Sequence, residues 1–320
     1  MLVSTSSSSG NPLECLVETF YNGSGKTRAI DAVQQLMKSS QTRLILLGTG
    51  AGSVHYKARM PSSAVVVVKG VPYVVDCGDG VSRQLVLADI PLRSLRYIFI
   101  THHHADHNLD YGNLVYNAWA SSCKGPIDAY GPAPLARITE LFLEMNSYDI
   151  NLRVTNEGRP PLISMIHVHE LEDEGVVMQD ENVKATCALV NHPPVKPVFA
   201  YRFDTPDRSI VFSGDTTPCD SLIRLAQGAD VLVQDAVHAP SVARTCAPLP
   251  DPEKLRRHIM QGHATTLEAG QIARAAGVKT LVLASLTPAD DPLISDEMWI
   301  EGASTHFDGT IVVGKDLLEL

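Results

Sequence analysis

The chain has 320 residues, 44% of them hydrophobic, and a formal net charge of −10. This length allows one large domain or two small ones with a sizeable core. No apolar run reaches the ~18 residues that a membrane-spanning helix needs, so we expect no membrane association. Nucleic acid is expected to be an unlikely partner, because phosphate binding needs clustered cations and no Lys/Arg-rich run stands out.

Residues 1–41 are predicted to be an N-terminal extension, Ser-rich and disordered over 1–12, with a helix at Arg28–Lys38. Between them, Gly23-Ser-Gly-Lys-Thr27 resembles part of a phosphate-binding loop. Position 20 is Phe where that loop needs Gly, and no strand precedes it, so we reject nucleotide binding. The chain starts with neither a basic nor an apolar signal segment. Its six cysteines form no C-x-x-C pair. We therefore expect a cytoplasmic protein with reduced thiols.

Residues 42–320 are predicted to form one domain in which strands and helices alternate. β-Branched apolar runs predict strands at Arg43–Leu47, Ala64–Lys69, Tyr73–Cys77, Tyr97–Ile100, Val183–Val190, Val198–Phe203, Ser209–Ser213, Asp230–Gln234, Thr280–Ala284 and Thr310–Val313. Helices are predicted at Val81–Ala88, Asn113–Ala120, Pro132–Met145, Ser221–Ala226, Asp251–Met260, Thr266–Ala276 and Ile294–Phe307. Strands grouped early and late, with helices between them, favour an α/β fold with two sheets covered by helices, a four-layer αββα sandwich.

The densest functional signal is Thr-His-His-His-Ala-Asp-His at residues 101–107. His102, His104, Asp106 and His107 are four potential metal ligands directly after the predicted strand Tyr97–Ile100. A strand end fixes the ligand backbones and leaves the side chains in a cleft. Imidazole and carboxylate together favour Zn²⁺. The alternative is a solvated histidine-rich loop, which is rarely preceded directly by a buried strand.

Three more polar residues stand where the backbone leaves regular structure. His192 and Asp215 follow predicted strands, and His263 precedes a predicted helix. Each alone is most simply a structural or turn residue, but together with residues 101–107 they predict a metal site. His167 and His169 alternate before an acidic loop, and we interpret them as a solvated face with no metal role.

These motifs resemble the metallo-β-lactamase superfamily. The matching pieces are Asp76–Gly80, Thr101–His107, His192, Ser213–Asp215 and Gly262–Pro288, so the resemblance spans residues 42–314. The closing segment is most similar to the ribonuclease Z and arylsulfatase-like branch. The resemblance implies a four-layer αββα hydrolase domain. From the resemblance alone, we also expect the protein to form a homodimer.

The resemblance also implies roles for individual residues. The first metal site would use His102, His104 and His192, the second Asp106 and His107, and Asp215 would bridge them. Asp76 would hydrogen-bond the histidine loop from behind. Asp106 would orient a water, and His263 with Asp235 would form a proton-donating pair.

One position departs from the family pattern. The last ligand of the family is a His after the final core strand, whereas this chain has Ala284-Ser285-Leu286. A neutral hydroxyl is a poor Zn²⁺ ligand beside imidazole. We predict one tightly bound Zn²⁺ at the first site and a second site that is weak or empty. The reverse occupancy, with metal on Asp106 and His107 and a first-site His acting as a base, is the alternative.

The main functional prediction is a zinc-dependent hydrolase of a small organic substrate. Similar enzymes of this branch include arylsulfatase-like enzymes acting on aryl sulfates or esters and hydrolytic dehalogenases of chlorinated aromatics such as chlorothalonil. Residues that would line a pocket for a ring are Tyr111, Tyr116, Trp119, Phe142 and Asn191. For the aromatic residues, ordinary core packing is an equal alternative.

Two alternative functions stay open. One is a ribonuclease Z-like phosphodiesterase that processes tRNA 3′ ends, which Ser285 and the acidic composition disfavour because two metals clamp such displacements. The other is a non-catalytic metal-binding protein of the same fold. Residues 146–182 are expected to shape substrate access.

Overall fold

The computed structural model describes residues 42–248 and 250–320. The predicted N-terminal extension, with its helix at Arg28–Lys38, lies outside the described residues. The first sheet has the order β1-β2-β3-β4-β5-β6. Its strands are β1 (Arg43–Gly48), β2 (Ser63–Val68), β3 (Val71–Val75), β4 (Tyr97–Phe99), β5 (Ile127–Pro132) and β6 (Ile166–Leu171).

The second sheet repeats this plan in the second half of the chain, with the order β13-β12-β11-β10-β9-β8-β7. Its strands are β7 (Gly175–Gln179), β8 (Lys184–Leu189), β9 (Phe199–Asp204), β10 (Ser209–Phe212), β11 (Val231–Val237), β12 (Thr280–Thr287) and β13 (Thr310–Val313). In each sheet the early strands pair antiparallel and the later ones parallel. Several strands of each sheet therefore end on the same edge, where loops can converge.

Ten α-helices connect or cover the strands in the described part of the chain. They are α1 (Val81–Leu87), α2 (Ala105–Asn108), α3 (Tyr111–Ala120), α4 (Leu135–Met145), α5 (Ser147–Glu157), α6 (Asp220–Leu225), α7 (Ala239–Cys246), α8 (Pro252–Gly262), α9 (Thr266–Ala276) and α10 (Asp296–Ser304). No helix among the described residues is long and apolar enough to cross a membrane.

The period-two alternation of the strands separates the layers. In β1, Leu44 and Leu46 belong to the core between the two sheets, whereas Ile45 and Leu47 belong to the core between the first sheet and its helices. A third core joins the second sheet to α6, α9 and α10. Phe99 of the first sheet meets Phe203 of the second edge-on, with ring centroids 4.9 Å apart. The predicted four-layer αββα sandwich is confirmed.

Some elements were not predicted. Strand β5 has the sequence Ile-Asp-Ala-Tyr-Gly-Pro, and its last residue, Pro132, was predicted to begin a helix. The helix instead begins at Leu135. The segment 146–182, in which no helix or strand was predicted, contains α5, β6 and β7, and α7 was not predicted either. A parallel strand such as β5 pairs with segments that are distant in the chain, so its own residues, which include Gly and Pro, do not identify it as a strand.

The contact between α9 and α10 gives a test of packing. A Cβ on Gly270 of α9 would lie 2.2 Å from the Ala303 carbonyl oxygen of α10. Alanine favours a helix by about 1 kcal/mol over glycine, but here it would force two backbones apart. We expect Gly270→Ala to lower the free energy of unfolding by about 1–3 kcal/mol, measured by chemical denaturation. The exposed neighbour Gln271→Ala is the control, with a change within about 0.5 kcal/mol. A Gly270→Ala protein as stable as the wild type would contradict this packing.

Candidate metal centre

Asp76, directly after β3, holds the histidine loop in place. Its carboxylate accepts the Thr101 backbone N–H at 2.8 Å, the Thr101 hydroxyl at 2.9 Å and His107 Nδ1 at 2.7 Å. Burial raises the pKa of Asp76, while the bonds from His107 and Thr101 oppose that rise. A Cβ on Gly78 would lie 2.6 Å from the Asp106 carbonyl oxygen, so the turn after Asp76 packs against the loop backbone.

Three imidazole nitrogens converge beside this loop. His104 Nδ1 lies 3.1 Å from His102 Nε2 and 3.2 Å from His192 Nε2. The other nitrogens have partners: His192 Nδ1 donates to the Gly262 carbonyl at 2.6 Å, and His102 Nδ1 lies 3.0 Å from the Thr101 hydroxyl. The hydroxyl donates to Asp76, so His102 Nδ1 donates to the hydroxyl. The two Nε2 atoms are then unprotonated, and both direct their lone pairs towards His104 Nδ1, an arrangement that suits a shared cation.

The electrostatics agree with this role. Burial lowers the pKa of His102 well below its ordinary value, and it also lowers the pKa values of His104 and His192. All three rings are therefore neutral, which is the form that binds a metal. Asp215 lies on the same side, with Oδ2 3.9 Å from His102 Nε2. These four residues form one potential ligand group.

A second potential ligand group contains Asp106, His107 and Asp215. His107 Nε2 is buried without a hydrogen-bond partner and lies 3.6 Å from an oxygen of Asp106 and 3.4 Å from one of Asp215. Because Nδ1 is fixed by Asp76, Nε2 is aimed between two carboxylates. A carboxylate–histidine pair behind a free ring nitrogen is a usual arrangement behind a metal. The residues therefore fit a cation here as well.

Asp215 is shared by both groups. Burial raises its pKa, but the nearby His107 and His263 outweigh burial and hold the pKa of Asp215 well below its ordinary value. Asp106 is oriented separately, because its Oδ2 accepts the Gly52 backbone N–H at 2.7 Å. Both carboxylates thus face the histidine cluster.

Ser285 reaches the centre through a distortion of β12. Ala284 pairs with Asp235 and Leu286 pairs with Ala236, so Ser285 is the extra residue of a β-bulge, with φ of 46°. Its hydroxyl lies 3.3 Å from Asp215 Oδ1 and 2.9 Å from the Ser62 hydroxyl. The backbone thus presents position 285 to the second ligand group, although the side chain there is a hydroxyl.

His263 and Asp235 form a pair at the edge of the centre, with Nδ1 and Oδ2 3.1 Å apart. Burial lowers the pKa of His263, but Asp215 and Asp235 outweigh burial and raise it to about 9. Burial raises the pKa of Asp235 to about 6, so the proton of the pair resides on His263. A capping box between Thr265 and Glu268 begins α9 two residues later and fixes the backbone beside His263.

The structure does not bring the predicted pocket aromatics to the centre. Trp119 is buried in the core between the first sheet and its helices, and its Nε1 donates to the Pro160 carbonyl. Tyr111 is buried in the same core. Tyr116 packs against that core, and its hydroxyl donates a hydrogen bond to the Asp149 carboxylate. Asn191 is exposed beside His192, and its side-chain amide donates to Thr217.

The remaining histidine pair lies elsewhere. His167 and His169 are exposed on β6 and face Asp128, with His169 Nε2 2.8 Å from its carboxylate. Neither residue belongs to a potential ligand group among residues 42–248 and 250–320. Both side chains therefore sit on the solvated face that their alternation indicated.

The model of the Beta-lactamase superfamily domain matches residues 73–284. A protein of Mycobacterium bovis named Ribonuclease Z is 31% identical over 277 residues, covering 86% of this chain and 96% of its own. A Ribonuclease Z of Mycobacterium sp. (strain KMS) is 32% identical over 274 residues, covering 85% and 93%.

Solved structures show the same fold. The short form of human tRNase Z superposes with a TM-score of 0.63 at 22% identity, covering 87% of this chain and 98% of that one. The fold protein YhfI from Bacillus subtilis gives a TM-score of 0.63 at 18% identity, with the same coverage. At these identities the likeness concerns the fold alone.

One prediction is wrong. We expected a small-molecule substrate, with nucleic acid an unlikely partner, but relatives that align with most of this chain are named as ribonucleases. The net charge of the whole chain was used to judge a local surface, which it does not determine. A signal was present: residues 254–258 read Lys-Leu-Arg-Arg-His.

The role of Asp76 is tested by Asp76→Asn. An amide cannot accept from Thr101 and His107 as a carboxylate does, so the His107 ring loses its anchor. We expect affinity for Zn²⁺ to fall about 10–100-fold, measured by competition with a chromogenic chelator. Asp128→Asn, which changes an exposed Asp–His pair, is the matched control and should bind zinc like the wild type. Equal affinities in all three proteins would show that Asp76 does not order the centre.

Proposed function

This chain belongs to the metallo-β-lactamase superfamily, in its ribonuclease Z branch, and on that premise we propose that it is a phosphodiesterase that cleaves RNA, with tRNA precursors as its substrate class. The family is one of metal-dependent hydrolases. The observation that carries the proposal is the 31% identity to a protein named Ribonuclease Z over nearly the whole length of both chains. The buried histidine and aspartate cluster supports hydrolysis at this position in the fold.

The metal is proposed to be zinc. Three neutral imidazoles and one carboxylate, from His102, His104, His192 and Asp215, suit Zn²⁺ best among common metals. A bound zinc ion lowers the pKa of water towards neutrality and withdraws charge from a phosphoryl oxygen. Asp106, fixed by the Gly52 N–H, is proposed to orient the attacking water and accept its proton.

The leaving oxygen needs a proton, and the His263–Asp235 pair is proposed to provide it. Asp235 occupies Nδ1 of His263, so Nε2 is the ring nitrogen available to a substrate. Asp235 is itself held by the Gln234 side-chain amide at 2.6 Å, and its backbone N–H donates to the Ser213 hydroxyl at 3.1 Å. This support keeps the ring in one orientation, which proton transfer requires.

The proposal is tested with a tRNA precursor that carries a 3′ trailer. We expect the zinc-loaded protein to release the trailer, and treatment with a chelator to stop the release because the ligand group loses its cation. Cleavage is followed on denaturing gels, with a mature tRNA as the control substrate. A zinc-loaded protein that leaves the precursor intact would overturn the proposed function.

The roles of two histidines are separated in the same assay. His102→Ala should abolish both zinc binding and cleavage, because it removes a ligand. His263→Ala should keep its zinc and lower turnover about 10²–10⁴-fold, as expected for the loss of a proton donor. His169→Ala, on the solvated face of β6, is the control for loss of an imidazole. A parallel loss of zinc in the His102 and His263 variants would contradict the assigned roles.

Metal content tests the consequence of Ser285. The second ligand group has Asp106, His107 and the shared Asp215, with a hydroxyl at the bulge. We expect one tightly bound zinc per wild-type chain after dialysis, measured by elemental analysis. Ser285→His should raise this towards two, because imidazole is a strong ligand and a cavity of about 50 Å³ adjoins the position. Two tight zinc ions in the wild type would contradict this expectation.

A further inference from the structure

Helix α8 carries a polar stripe that leads to the metal centre. Lys254, Arg257, His258 and Gln261 are exposed and spaced i, i+3, i+4 and i+7, so they lie along one face of the helix. They line a recess of about 400 Å³ together with Asp251. From the first to the last position the stripe runs roughly 10 Å along the helix axis.

The opposite face of α8 explains why this stripe points outward. Leu255, Ile259 and Met260 pack against the small core formed by Val237, Val242 and Cys246. The helix is therefore held to α7 by its apolar side. Its polar stripe is left facing solvent.

The acids at the start of α8 form no ion pair with the stripe. Glu253 pairs with Arg256 at 3.2 Å instead of with Arg257. Asp251 lines the recess, but its carboxylate caps the helix by accepting the Lys254 backbone N–H at 3.1 Å. No ion pair to Lys254 or Arg257 is formed within the described part of the chain. Two cationic side chains thus stay available on a protein whose net charge is −10.

The end of the stripe touches the catalytic region directly. Gly262, the last residue of α8, accepts a hydrogen bond from His192 Nδ1 at 2.6 Å. A Cβ on Gly262 would lie 3.1 Å from that nitrogen, so the backbone and the ring pack tightly at this position. The next residue is His263, which pairs with Asp235. A polymer that follows the stripe would therefore arrive at the metal ligands.

We infer that the α8 stripe, formed by Lys254, Arg257, His258 and Gln261, is a docking track for the RNA phosphate backbone. The inference rests on the proposed function and adds where the substrate lies. One strand of a duplex carries a phosphate for about every 3.4 Å of the duplex axis, so a stripe of this length can contact at least two successive phosphates. Lys254 and Arg257 donate to phosphate oxygens, and Gln261 offers an amide donor next to the centre.

The test is the double charge reversal Lys254→Glu with Arg257→Glu in the zinc-loaded protein. Binding of a fluorescently labelled tRNA precursor is measured by anisotropy between 50 and 200 mM salt. Cleavage kinetics are measured beside it. We expect Kd and KM to rise about tenfold at the lowest salt and the salt slope to fall by about 2. Turnover and zinc content stay unchanged, because neither residue touches the centre.

The matched control is Arg93→Glu with Lys124→Glu. Both residues are exposed and precede β4 and β5, at the opposite end of the sheet from the histidine loop. The change in net charge is the same. We expect this control to keep the wild-type salt slope and KM.

The remaining outcomes separate a failure of the docking track from a failure of the proposed function. A stripe variant that binds RNA like the wild type overturns the inference and leaves the proposed function standing, and the stripe is then open to another partner such as an acidic protein. Equal losses in both double variants overturn it too, since net charge alone would explain them. If the wild type cleaves no RNA, the proposed function fails. Anisotropy then decides the track alone: stripe-dependent binding supports it, and its absence overturns it.

Discussion

The centre depends on one buried carboxylate. Asp76 accepts from the backbone and hydroxyl of Thr101 and from His107, and the Thr101 hydroxyl in turn accepts from His102. A single anion thereby fixes which nitrogen of two rings faces the metal site. Burying it without partners would be costly, and the bonds that offset the cost also tie the end of β3 to the loop after β4. Fold and ligand geometry are therefore set by the same contacts.

Local signals in the sequence predicted local geometry. The ligands at 102–107 stand next to one another, so their convergence required only a strand before them. His192 and Asp215 belong to a different sheet. Their positions at the ends of predicted strands indicated a metal site, and the family resemblance assigned their individual roles. The β-bulge at Ser285 could not be predicted, because it arises from the pairing of β12 with β11, about 50 residues earlier in the chain. Likewise, the placement of Trp119 depends on which helix face meets the sheet.

The substrate prediction failed because it judged a local surface by the net charge of the whole chain. Net charge governs solubility and long-range attraction, whereas recognition depends on the few groups beside the site. In this chain acids outnumber bases by ten, yet on α8 the two acids are engaged by Arg256 and by the helix N-terminus. The basic side chains that remain are carried by the helix whose last carbonyl holds His192. An acidic protein can therefore carry a local cationic surface beside its candidate metal centre.

The potential metal ligands come from both halves of the sandwich. His102, His104 and His107 follow a strand of the first sheet, whereas His192 and Asp215 follow strands of the second. A cation held by both sets would act as a cross-link between the two layers. By linkage, a ligand at 1,000 times its Kd stabilises the folded state by about 4 kcal/mol. Separation of the sheets and release of the ion would then be one event, and the resistance of this protein to heat would follow the supply of metal in its surroundings.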